Sequence, residues 1–190
     1  MAIKIKNVFY FVLFSLIRTF VRAMKEIIIK ESAIMQAAEE GMDAFVGVFT
    51  NAIYNSIGQL TAETMAELNS DQITLLAYQT LRDEVMDGGF VQLIHNGYGP
   101  FIFKNPFAKA IKQWGLKDLS KLVYDAHTLY NRYGADIERD CTDEEFMALF
   151  EQYSEFDEMD DDFVENEEQW TQMVAVYLDD HIEKFATIEK

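Results

Sequence analysis

Apolar positions recur at intervals of three and four along most of the chain, the spacing that lines one face of a helix. Within residues 43–57 they are Phe45, Val46, Val48, Phe49, Ile53, Tyr54 and Ile57. Asn69 with Gln72 three positions on has the form of a capping box, and it opens a predicted helix through Ile73, Leu75, Leu76, Tyr78 and Leu81 to about Met86. The triplet Asp87, Gly88, Gly89 breaks that helix. A short one restarts at Phe90 and runs to His95, where Asn96 and Gly97 signal a turn. Asn105 before Pro106 reads as a cap followed by proline at the first helical position, with Gly115 as the stop. Residues 116–133 read as the next helix, ended by Gly134.

A second capping box, Thr142 with Glu145, starts a helix whose buried face is Phe146, Met147, Leu149, Phe150 and Tyr153. Beyond it Phe156, Met159, Phe163 and Val164 recur among dense acid and pin that stretch to the core. A last helix begins near Asn166 and turns Trp170, Met173, Val174, Val176, Tyr177 and Ile182 inward. Only residues 25–34, with Ile27, Ile28 and Ile29, look strand-like, and one strand makes no sheet. The expected fold is all-α, a single compact domain of seven or eight helices over residues 24–190.

Residues 1–23 stand apart. Residues 8–17 are apolar except for Ser15, preceded by Lys4 and Lys6 and followed by Arg18 and Arg22. The run is too short to span a bilayer and lacks a small-residue cleavage pattern. Three readings stay open: an extra helix docked on the body, an extension upstream of a start at Met24, and a membrane-associating segment.

Composition adds charge to this picture. The chain carries a net charge of -17, yet 49% of its 190 residues are apolar and 14% aromatic, so the acid sits on a packed scaffold. Residues 136–168 hold sixteen Asp or Glu with Arg139 as the only base. Duplex DNA carries about one negative charge per ~1.7 Å of axis. Carboxylates four residues apart on a helix lie roughly 6 Å apart. A folded acidic surface can therefore imitate a phosphate row, against the plainer reading of a solubilising face. Such crowding predicts raised carboxylate pKa values. Cys141 is the single cysteine, which excludes an internal disulfide and fits a cytoplasmic location.

Candidate chemistry is sparse. His95, His127 and His181 are far apart and fall in no metal-ligand spacing, and no nucleotide-binding glycine pattern occurs. A calcium loop read from Asp157 fails, because Met159 and Asp162 stand where a ligand and a glycine are needed. No cofactor and no metal are expected. An acid–base pair of Glu84 and His95 across the glycine corner, helped by Asn96, is the one enzymatic arrangement the residues offer. Asp87 is expected to cap the Phe90 helix.

The segment Glu84, Val85, Met86, Asp87, Gly88, Gly89, Phe90, Val91, Gln92, followed by Asn96, carries a family resemblance. It resembles a helical bacterial family of uncharacterised domains that includes the dimeric DNA-mimic proteins. Asp87 stands where that family usually has Asn, and Leu93 where it has an aromatic. The likeness covers roughly residues 60–182. It implies an all-helical domain, a homodimer, and in some members an acidic surface that binds DNA-binding proteins.

The expected function is accordingly a non-enzymatic binding protein, a DNA mimic whose acidic surface takes a basic DNA-binding protein. The carboxylates expected to carry it are Asp143, Glu144, Glu151, Asp157, Glu158, Asp160, Asp161, Asp162, Glu165 and Glu167. An immunity or antitoxin-like protein neutralising a basic toxin would use the same surface. Direct contact with nucleic acid is disfavoured by like charge, and membrane association by the lack of a spanning segment.

Overall fold

Two of the longer helices start at capping boxes, Asn69 with Gln72 and Thr142 with Glu145, whose side chains satisfy the first backbone amides. The computed structural model describes residues 24–190; the readings for residues 1–23 lie outside the described residues. After strand β1 (Ile28–Lys30) come α1 (Glu31–Glu40), α2 (Met42–Ile57) and a single turn α3 (Ala62–Met65). The central helix α4 (Ser70–His95) begins at the predicted capping box: Gln72 N–H donates to Asn69 Oδ1 at 2.9 Å, and Asn69 N–H donates to Gln72 Oε1 at 3.0 Å. Short α5 (Gly99–Phe103) and α6 (Phe107–Gln113) lead to α7 (Lys117–Ile137). The acidic part comprises α8 (Asp143–Gln152), a 3-10 turn (Ser154–Phe156) and α9 (Asp157–Asp180). The short α10 (Ile182–Phe185) and strand β2 (Thr187–Glu189) close the chain.

The fold is all-α, with seven helices of seven or more residues among the described residues. One correction concerns the strands: Ile28–Lys30 pairs in parallel with Thr187–Glu189, Ile29 opposite Ile188. The strand-like signal at residues 25–34 therefore covers three paired residues, and α1 takes over at Glu31.

The core is one apolar cluster around α4, whose Leu75, Leu76, Tyr78, Leu81, Phe90 and Leu93 are fully enclosed. α9 packs along α4 and α2, while α7 packs against α4 and α6. Burying one such Leu or Phe side chain contributes about 1.5–3 kcal/mol.

Three boundaries differ from expectation. α7 runs through Gly134 to Ile137, because Gly134 serves close packing: a Cβ there would sit 2.6 Å from the Tyr130 ring, whose hydroxyl donates to Glu138 at 2.8 Å. α9 begins at Asp157, nine residues before Asn166, on a buried face of Phe163, Glu167, Trp170, Thr171, Val174 and Leu178. That face excludes Val164 and Val176, which lie in solvent; Met147 on α8 is likewise exposed. At α6, Asn105 still supplies the cap, accepting from Phe107 N–H at 2.7 Å, with Pro106 before the first helical residue.

Candidate functional site

The glycine corner fixes where the acidic helix sits. Within α4 the helical course is interrupted at Gly88 (φ -160°) and Gly89 (φ 74°, ψ -177°), a left-handed, extended combination that glycine adopts without penalty. The kink frees the Phe90 N–H, and Asp160 of α9 accepts it through Oδ1 at 2.8 Å. Asp160, not Asp87, caps the restarted helix. Asp87 instead accepts from Gln92 Nε2 at 2.8 Å. Any side chain at Gly89 would meet Asp160, since a Cβ there falls 2.7 Å from its Cγ.

The same corner places the residues of the enzymatic reading. Glu84 Oε2 accepts from Asn96 Nδ2 at 2.8 Å and from Gln92 Nε2 at 3.5 Å, so Glu84, Asp87, Gln92 and Asn96 form one clamp across the kink. His95 belongs to a different contact: its Nδ1 lies 2.9 Å from the Ile137 carbonyl and its ring packs 4.5 Å from Phe146. Glu84 and His95 thus have separate hydrogen-bond partners. Among the described residues no three His, Cys, Asp or Glu side chains are grouped to hold a metal ion.

The ten carboxylates singled out by sequence divide by environment. Asp157, Glu158, Asp161, Asp162 and Glu165 are exposed on α9, and Asp143, Glu144 and Glu151 are exposed on α8. Asp160 is half-buried under the corner. Glu167 is withdrawn altogether: at 9% exposure it pairs with Arg82 and accepts from Thr171 Oγ1 at 2.7 Å, while Thr171 also meets the Tyr78 hydroxyl at 2.7 Å. Arg82 reaches onward to Asp43 at 2.9 Å. Glu167 therefore ties α9 to α4 and α2, and the outward position beside it belongs to Glu168.

A residue outside the acidic run positions this surface. Asp160 sits on Gly89, so the start of the α9 row lies against the glycine corner of α4. No sequence spacing signals that neighbourhood, which depends on a contact seventy positions apart. The turn between α8 and α9 is held to α7: Tyr133 donates to Glu155 at 2.7 Å and the Tyr153 hydroxyl donates to Asp136.

The carboxylates also depart from the uniform rise that crowding predicts. Asp160 is pushed up to about 6, mainly by burial, with the Phe90 N–H pulling the other way and Asp157 and Asp161 adding to the rise. Glu145 is lowered by the Thr142 backbone amide it accepts from, and Glu155 by the Tyr133 hydroxyl. Local hydrogen bonds outweigh mutual repulsion at those two exposed positions.

No helix among the described residues is long and apolar enough to cross a membrane. The chain is similar to the DNA mimic protein DMP19 of Neisseria meningitidis serogroup B (strain ATCC BAA-335 / MC58), with 34% identity over 146 residues, 76% of this chain and 88% of that protein. A family model described as DMP19-like protein matches residues 66–181, which takes in the glycine corner and the whole of the acidic helix. By that match and that identity, the chain belongs to the DMP19-like family.

Proposed function

We propose that this chain is a DNA mimic without enzymatic activity, and that its acidic face occupies the nucleic-acid-binding surface of a basic DNA-binding protein. The observation that carries this is the outer row of α9. Asp157, Glu158, Asp161, Asp162, Glu165 and Glu168 are all exposed within twelve residues. Twelve helical residues span about 18 Å, one charge per about 3 Å, close to the ~3.4 Å axial spacing of phosphates along one DNA strand. The row is rigid, because Phe163, Trp170 and Val174 on its inner side are buried and Asp160 and Glu167 bolt it to α4. A preorganised row costs less to bind than a flexible acidic tail. Exposed Val164 and Met147 lie among the carboxylates and offer apolar contact to the stems of a partner's Lys and Arg side chains.

The similarity to a protein named as a DNA mimic supports the same reading. Recognition of this kind steers association through charge and releases counterions, so affinity falls steeply with salt. The test is capture on immobilised chain at low salt, elution by a salt step, and a check that the captured protein loses its DNA when this chain is added. Capture that is insensitive to salt, or a captured protein that keeps its DNA, contradicts the proposal.

A further inference from the structure

Away from the acidic face, an open apolar trough of about 520 Å³ runs between the starts of α4, α5 and α6, walled by Met65, Ile73, Ala77, Pro100, Phe101 and Phe107. A second, polar cavity of about 330 Å³ adjoins it, the two sharing the walls Ser70, Thr74, Pro106 and Ala110. This polar end holds Lys109, Gln113, Trp114, Tyr177, Lys184 and Asp71. We infer that the two cavities together form a binding site for a fatty carboxylate, its hydrocarbon chain in the trough and its headgroup at Lys109 and Lys184.

The trough's chemistry selects a hydrocarbon. Thr74 spends its hydroxyl on the Ser70 carbonyl at 2.7 Å. Asn105 donates to the Phe101 carbonyl and accepts from Phe107 N–H. An extended peptide laid there would leave backbone groups unsatisfied, at a cost an alkyl chain does not incur. The combined shape, an apolar body with a few polar groups at one end, is that of small-molecule sites, and the volume falls in their range.

The polar end selects an anion. Residues 104–121 carry Lys104, Lys109, Lys112, Lys117 and Lys121 against Asp118 alone, a basic island on a chain of net charge -17. Asp71, the one carboxylate lining the cavity among the described residues, is engaged by Trp114 Nε1 and the Tyr177 hydroxyl, each at 3.2 Å. Lys184 donates to that same hydroxyl at 2.8 Å and lies 5.0 Å over the Tyr177 ring, which stacks on Trp114 at 4.5 Å. Lys184 also feels Glu183, so Lys109, exposed at the rim, supplies the cation not matched by a neighbouring acid on its own helix, and Trp114 stands beside this end as a reporter.

The experiment titrates the full chain with dodecanoate and, separately, dodecanol, both below their micellar concentrations, while following tryptophan fluorescence in a Trp170→Phe background. Dodecanoate is expected to give a saturable change with at least tenfold higher affinity than dodecanol. The pair Lys109→Glu and Lys184→Gln is expected to abolish that preference while leaving dodecanol binding unchanged, and Ala77→Trp to block both ligands, with circular dichroism confirming the fold. Equal affinity for acid and alcohol overturns the headgroup assignment, and the absence of saturable binding overturns the site. Both results are read on the Trp170→Phe chain, so neither depends on a lysine or trough variant folding.

Discussion

Asp160 accepts the Phe90 backbone N–H at 2.8 Å, so a residue of the acidic helix caps a helix that begins seventy positions earlier. The bond places the acidic row, and its carboxylate is held at about 6 rather than the ordinary 3.8. Folding therefore favours the protonated form. The stability this group contributes is fully present below about pH 3.8 and is lost as pH rises through about 6. Asp160→Asn keeps an acceptor for the cap but cannot ionise. Denaturation at a series of pH values is expected to show wild type losing stability relative to this variant between about pH 4 and 7. A pH-independent difference would show that burial does not govern this carboxylate.

Gly89→Ala meets two obstacles, a backbone conformation that essentially only glycine adopts and a collision with the Asp160 carboxylate. The expected loss is about 2 kcal/mol or more, read as a lower urea midpoint at unchanged m-value. Removing the collision with Asp160→Ala leaves only the backbone strain. The double variant should then lose less than the sum of the two single losses, a coupling that simple additivity would contradict.

Glu167 tests the division between structural and displayed acid. Truncation to alanine leaves Arg82 facing Asp43 alone and removes the acceptor of Thr171. A loss of about 3 kcal/mol is expected in chemical denaturation. Partner capture at temperatures where the variant stays folded is expected to be unchanged, because Glu167 does not reach the surface.

Features written locally were legible in the sequence. The boxes Asn69–Gln72 and Thr142–Glu145 both form as their spacing predicts, and helix α2 fills the apolar stretch at residues 43–57 almost residue for residue. Features that rest on distant contacts were not. The long α9 hides its period because two of its inward positions, Glu167 and Thr171, are polar and find partners on α4. Gly134 has the look of a helix stop, but it makes room for the Tyr130 ring. The β1–β2 pairing joins segments near opposite ends of the described chain, and three residues each are too few to announce a sheet. The site divides in the same way: the sequence shows how many carboxylates there are, whereas packing decides that Asp160 and Glu167 anchor the row that the others display.

Whether the displayed row does the binding is decided by a mobility-shift competition. A protein captured by the wild-type chain is bound to labelled DNA, then challenged with wild type or with Asp157→Lys, Asp161→Lys, Asp162→Lys and Glu165→Lys combined, its fold verified by circular dichroism. Wild type is expected to release the DNA, less effectively as salt rises, and the four-fold variant to release none. Equal release by the variant, or a ternary complex of DNA, captured protein and wild-type chain, would rule out binding through this row.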